Sequence, residues 1–108
     1  MQPTHDNCPC MEACPLNRAL ALIGGKWKMQ ILCALSNNGP TRYNQLKKTL
    51  DGVSNTVLAN ALRELEEDRL VTRREYLEVP VRVEYAITES CRRLIPILDE
   101  LGNWSMSL

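Results

Sequence analysis

The apolar residues of this chain change their spacing twice, and no other feature constrains its fold as strongly. Up to Asp68 they recur at the 3.6-residue period of a helix. Between Leu70 and Ile87 they alternate with polar residues, as in a strand, and from Thr88 the helical period returns. Leu16, Ala19, Leu20 and Ile23 mark a helix over residues 15–23, with Pro15 suited to its first turn and Gly24 and Gly25 to its end. Trp27, Ile31, Ala34 and Leu35 mark a second, closed by Asn37, Asn38, Gly39 and Pro40. Tyr43, Leu46 and Leu50 place a third, with Thr41 as its cap and a turn at Asp51 and Gly52. Ser54 opens a fourth helix as N-cap, with Val57, Leu58, Ala61, Leu62 and Leu65 on its buried side.

Two strands follow, over residues 70–76 and 81–87, joined by residues 77–80. Thr88 caps a final helix whose apolar face carries Leu94, Ile97, Leu98, Leu101 and Trp104, and Pro96 should kink it near Arg92. Three helices, a longer fourth, a hairpin and a C-terminal helix make the layout of a winged helix-turn-helix. The predicted class is mainly α with a small β-hairpin. Residues 14–108 form that domain, and residues 1–13 are expected to be a flexible tail.

Composition excludes several alternatives. A chain of 108 residues suits one domain. Its hydrophobic share of 44% and charged share of 24% argue against intrinsic disorder. No apolar run approaches the roughly 20 residues a membrane span needs, so no membrane partner is expected. The first residues carry no apolar stretch of the kind that marks a secretory signal. Five cysteines, an odd number, argue against a disulfide framework, which points to the reducing cytoplasm.

Thirteen basic and thirteen acidic residues cancel, yet they are segregated. Residues 13–63 hold seven basic side chains against the single acid Asp51, whereas residues 64–108 hold six arginines against ten acids. A basic half suits a polyanion, with double-stranded DNA as the expected partner. On a helical wheel, Thr56, Asn60 and Arg63 oppose the apolar arc of the fourth helix. Asn pairs bidentately with adenine, Arg with guanine, and Thr bonds a base edge or touches a thymine methyl. Ser54 and Asn55 open the helix, where free N–H groups favour phosphate. Arg42, Lys47 and Lys48 can clamp the backbone from the preceding helix, and Arg82 from the hairpin. Any amphipathic helix also shows polar residues to solvent, and the crowd of Glu64, Glu66, Glu67 and Asp68 weighs against contact at the helix's far end.

Cys14 precedes Pro15 and so stands at the N-cap of the first helix, where a thiolate, the reactive form, is stabilised. His5, Cys8, Cys10 and Cys14 offer an alternative, a metal-responsive site for Zn²⁺ or Cu⁺, although their spacing lacks the paired knuckles of closed zinc sites. No cofactor is expected. Cys33 and Cys91 lie on helical segments and read as small packing residues.

At this level of detail the chain resembles the HxlR-type family of bacterial winged-helix transcription regulators. The resemblance lies in Cys14-Pro15-Leu16, in residues 22–27 (Leu-Ile-Gly-Gly-Lys-Trp), and in Arg42, Tyr43 and Leu46. It continues through Ser54 and residues 62–66, Glu78-Val79-Pro80, residues 83–88, and Leu94, Pro96, Ile97 and Leu98. It implies a homodimer on a pseudo-palindromic operator, with Tyr43 at the DNA-binding surface. It also implies dimerisation through the helices at 15–23 and 88–105, hence through Leu16, Leu20, Leu98, Leu101 and Trp104. Cys14 matches a cysteine that some members use to sense oxidants or electrophiles, which makes an oxidant or small molecule the implied effector. Two positions depart from the family pattern: Arg69 and Cys91 stand where it tends to carry Gly. The expected function is a sequence-specific DNA-binding regulator, most simply a repressor. The rival from another class is a winged-helix docking module without selective DNA binding. A thiol enzyme is disfavoured, because the only His lies in the tail and no Cys-x-x-Cys pair occurs.

Overall fold

The computed structural model describes residues 14–108. His5, Cys8, Cys10 and the tail assigned to residues 1–13 lie outside the described residues. The chain runs through α1 (Pro15–Ile23), α2 (Lys28–Asn38), β1 (Thr41–Arg42), α3 (Tyr43–Thr49), α4 (Asn55–Glu67), β2 (Val71–Tyr76), β3 (Arg82–Ile87), α5 (Glu89–Arg92) and α6 (Ile95–Met106). This is a winged helix-turn-helix, with α3 and α4 as the helix pair and β2–β3 as the wing.

Local chemistry sets the boundaries. Pro15 sits in the first turn of α1. The helix ends at Gly24, where a Cβ would lie 2.4 Å from the carbonyl oxygen of Leu20, too close for any larger residue. Gly39 ends α2 at φ 74°, with its N–H on the Leu35 carbonyl at 2.9 Å. Ser54 caps α4 as expected, its hydroxyl accepting from the Val57 N–H at 3.1 Å.

Three expectations need correction. Thr41 is a strand residue rather than a helix cap, buried and paired with Tyr85, its hydroxyl donating to the Gly39 carbonyl at 2.7 Å. The sheet therefore has three antiparallel strands in the order β1-β3-β2, with Val71 opposite Ile87 and Tyr76 opposite Arg82. The C-terminal segment is two helices rather than one kinked helix. Thr88 caps α5 by accepting from the Cys91 N–H, and Pro96 falls in the first turn of α6, where its missing N–H costs nothing. Val57, assigned to the buried arc of α4, is 42% exposed.

The core forms where these elements meet. Ile31, Leu32 and Leu35 of α2, Leu46 of α3, Leu58, Leu62 and Leu65 of α4 and Val71 of β2 are essentially inaccessible. Each such side chain contributes about 1.5–3 kcal/mol by leaving water. Cys91 is buried in the same cluster, as a small packing residue should be.

The end of α4 is tightly wound. The Arg69 N–H reaches the Glu66 carbonyl at 3.0 Å and the Leu70 N–H reaches that of Leu65 at 2.9 Å. This is a Schellman closure, which places Arg69 in the left-handed region at φ 64°. A Cβ is disfavoured there, and the exposed Arg69 side chain makes no compensating core contact. Arg69→Gly should therefore stabilise the fold by about 1 kcal/mol. A rise of a few degrees in Tm would be the expected result, and an unchanged or lower Tm would show that the site carries no strain.

Candidate nucleic-acid interface

The buried stripe of α4 fixes the rotation of that helix, so the opposite face is solvent-facing by necessity. Thr56, Asn60 and Arg63 all lie on it and are exposed. Asn60 and Arg63 are already linked: the Asn60 Oδ1 accepts from Arg63 at 3.2 Å, and Arg63 also lies 3.7 Å from the Glu67 carboxylate. Tyr43, at the start of α3, reaches across to the start of α4. Its hydroxyl donates to the Asn55 carbonyl and side-chain oxygens, both at 3.2 Å. With its oxygen so engaged, Asn55 has its amide N–H₂ left to offer, a donor suited to phosphate. Tyr43 thus positions the opening turn of α4.

Arg42 stands at the N-cap of α3 and Lys47 and Lys48 in its last turn, and none forms an ion pair among the described residues. Arg82 is differently placed. It lies 3.0 Å from Glu78, 3.7 Å from Glu84 and 4.0 Å from the centre of the Tyr76 ring. Its Nε is buried, ion-paired with Glu84 but beyond hydrogen-bond reach of it. A phosphate would compete with two carboxylates for this guanidinium.

Two features escape sequence reasoning. Lys28, on α2, bonds Glu64 on α4 at 2.7 Å. That hydrogen bond and the Lys28 charge hold the Glu64 carboxyl below the usual carboxylate range, with Arg63 adding to the effect. With Glu67 beside Arg63, two of the four acids at the far end of α4 are thereby countered. A groove of about 910 Å³ also separates α3 from the wing, with Arg42, Gln45 and Lys48 on one wall and Pro80, Val81 and Val83 on the other. Neither pairing nor groove has a signature in local sequence, since each joins residues more than thirty positions apart.

The remaining predicted residues fall on two other surfaces. Cys14 stands at the N-cap of α1 and is buried, 2% exposed. Leu16 and Leu20 of α1 and Leu101 and Trp104 of α6 are all more than half exposed, as is Ile97, whereas Leu98 packs partly against the core. Burial pushes the thiols of Cys33 and Cys91 up, with Asp99 adding to the shift at Cys33 and Cys33 to that at Cys91. Both shifts favour the protonated thiol over the reactive thiolate. Among the described residues, no group of three His, Cys, Asp or Glu side chains is arranged to hold a metal ion.

The chain has clear relatives. A family model described as HxlR-like helix-turn-helix matches residues 22–108. An uncharacterized HTH-type transcriptional regulator of Halalkalibacterium halodurans is 44% identical over 92 residues, covering 85% of this chain and 81% of that protein. The HTH-type transcriptional regulator YdzF of Bacillus subtilis is 39% identical over 93 residues, 86% of this chain and 85% of its own. Among solved structures, the redox regulator HypR in its oxidized form matches with a TM-score of 0.80 at 37% identity, covering 88% of this chain and 97% of that one. The reduced form of the transcriptional regulator YodB from B. subtilis matches at 0.77 and 33% identity, covering 87% and 92%. On the extent of these matches and the shared winged-helix architecture, the chain belongs to the HxlR-like helix-turn-helix family of transcription regulators.

Proposed function

We propose that this protein is a cytoplasmic, homodimeric, sequence-specific DNA-binding regulator that represses by occupying a pseudo-palindromic operator. The observation that carries this is the outward face of α4. A Ser54-capped helix presents Thr56, Asn60 and Arg63, and the preceding segment adds Arg42, Lys47 and Lys48, which form no ion pair among the described residues. Thr56, Asn60 and Arg63 read base edges in the major groove, while Ser54, Asn55, Arg42 and Lys47 take phosphates. Tyr43 sets Asn55, and Arg82 serves the wing.

The two-fold axis runs through the exposed apolar faces of α1 and α6, with Leu16, Leu20, Leu98, Leu101 and Trp104 meeting their copies. Burying an aromatic and several leucines there supplies the hydrophobic centre an obligate dimer needs. Cys14 is the switch. An oxidant reaches it when the first turn of α1 opens. A hydroperoxide then converts the thiolate to sulfenic acid, giving up one oxygen to sulfur and leaving as an alcohol after taking a proton. The enlarged, polar group no longer fits the buried N-cap position, so α1 and the dimer geometry shift. The similarity to a protein described as a redox regulator supports this role.

Selection of bound fragments from the host's genomic DNA, with reduced and with mildly oxidised protein, tests the proposal. One or a few pseudo-palindromic sites should be enriched, and differently in the two states. No enrichment over random DNA in either state would favour a protein-docking module. Arg63→Ala should cost about 1–3 kcal/mol on the enriched site and relax its sequence preference at one position. Uniform weakening on all sequences would make Arg63 a phosphate contact. Cys14→Ser should bind the same sites and ignore the oxidant, and a retained response would assign sensing elsewhere. Trp104→Glu should sediment as a monomer and lose operator binding, whereas a dimer of undiminished stability would place the two-fold interface on another face.

A further inference from the structure

A second pocket, of about 280 Å³, opens where the loop between α1 and α2 meets α4. Its lining is chemically divided. Trp27, Val57 and Ala61 supply an apolar floor, and Val57 is left 42% exposed although it continues the apolar arc of its helix. Lys26 stands over that floor, its Nζ 4.8 Å from the centre of the Trp27 ring. It forms no ion pair among the described residues. Asn60 lines the α4 side. Its side-chain oxygen already accepts from Arg63, so the group it has left to offer is the amide N–H₂, a donor. Glu64 also lines the pocket, but it is bonded to Lys28 at 2.7 Å, which counters its charge.

A cation and an amide donor beside an apolar floor select a guest with an apolar body and an anionic end. A cationic guest would meet Lys26 and Lys28. Size narrows the class further. An apolar cavity of roughly 150 Å³ holds one benzene ring, so this pocket has room for a single ring and a small substituent. The ring gains by leaving water against indole and valine, and a carboxylate gains a charge-assisted bond from Lys26 and a further bond from Asn60.

We propose that this pocket binds a single-ring aromatic carboxylate, its ring on Trp27 and Val57 and its carboxylate between Lys26 and Asn60. Binding stands on the pocket alone, whereas its effect on DNA rests on the function proposed above. Bidentate pairing with adenine needs the Asn60 oxygen and N–H₂ aimed at one base edge. A carboxylate bonded to the N–H₂ turns that group toward the loop instead. Ligand and operator therefore compete, and by linkage each weakens the other by the same factor. The pocket makes α4 responsive to a small organic acid without any change at sulfur.

Trp27 is a built-in reporter, since Trp104→Phe leaves it as the only tryptophan. Benzoate titrated into the reduced, full-length variant should change the Trp27 emission along a saturable curve. Benzamide keeps the ring and loses the charge, and it should bind about tenfold more weakly. Acetate, which has no ring, should leave the emission unchanged. Lys26→Gln should make benzoate and benzamide equivalent, and Val57→Ser should weaken both, with an unchanged thermal transition verifying the fold. Saturation-transfer NMR of benzoate and benzamide on the wild type supplies the same comparison without any substitution. On the most enriched genomic duplex, saturating benzoate should lower wild-type affinity about tenfold, and Lys26→Gln should be indifferent to it. An absent or unsaturable response to benzoate, equal affinity for benzamide, or a preference for benzoate that survives Lys26→Gln would overturn the assignment. Saturable binding that leaves operator affinity unchanged would overturn the competition through Asn60. Failure of the unliganded protein to bind any duplex would sink the DNA-binding function, while the benzoate titration still decides the pocket.

Discussion

Everything on the outward face of α4 depends on the burial of one stripe of that helix. Leu58, Ala61, Leu62 and Leu65 are inserted among Ile31, Leu32 and Leu35 of α2, Leu46 of α3 and Val71 of β2. Truncating one of these leucines to alanine costs roughly 2–5 kcal/mol, a large part of what holds a domain of this size together. Because the stripe admits one rotation of the helix, it dictates that Thr56, Asn60 and Arg63 face out. The two ends of α4 are fixed independently, by the Ser54 cap and by the Schellman closure at Arg69. The closure is tied onward to the sheet and to α5, because the Thr88 hydroxyl donates to the Arg69 carbonyl at 2.8 Å while capping the next helix. A helix anchored in this way holds its outward side chains in register for a rigid target.

Charge shows the same division between braced and available groups. The chain is neutral overall, but its charges are not equivalent. Lys28 and Glu64, Arg82 and Glu78, and Arg63 and Glu67 are spent on one another, whereas Arg42, Lys47 and Lys48 form no ion pair among the described residues. Lys28 is the most desolvated partner in these pairs, its side chain only 13% exposed. Its bond to Glu64 joins α2 to α4 and at the same time counters a negative charge beside Asn60. Net charge is therefore a poor guide here. The local surplus around α3 is what a polyanion meets first.

Much of this was legible in the sequence because it is local. Helix periodicity, the Pro15 start, the Ser54 cap and the alternation of the wing depend on residues within one or two turns of each other. The left-handed geometry at Arg69 fits a helix end where the family tends to carry glycine, whereas Cys91, the other such position, is helical. What stayed hidden is what depends on distant partners. A two-residue strand such as β1 has no period of its own and exists because Tyr85 and Glu84 pair with it. Pro96 was misplaced because the same residue breaks a helix in its middle and starts one at its first turn, and only the break at Arg93 and Leu94 decides between the two. Val57 lies at the margin of the apolar arc, where the loop bearing Lys26 and Trp27 leaves it uncovered. The engagement of Arg82 required knowing that Glu78, Glu84 and Tyr76 converge on it.

The first helix has a consequence for how the molecule behaves with dilution. α1 spans nine residues and buries only Ile23, and it joins the rest of the chain through Gly24 and Gly25, two residues that transmit little stiffness. A segment this short does not hold helical form alone in water, so its order is borrowed from whatever covers Leu16 and Leu20. If that cover is a second copy, mass action governs it, and α1 melts and assembles along one concentration curve. Cys14 sits at the start of this segment. Its sulfur is shielded within one copy of the chain, so dilution reaches it only by loosening the helix that starts there.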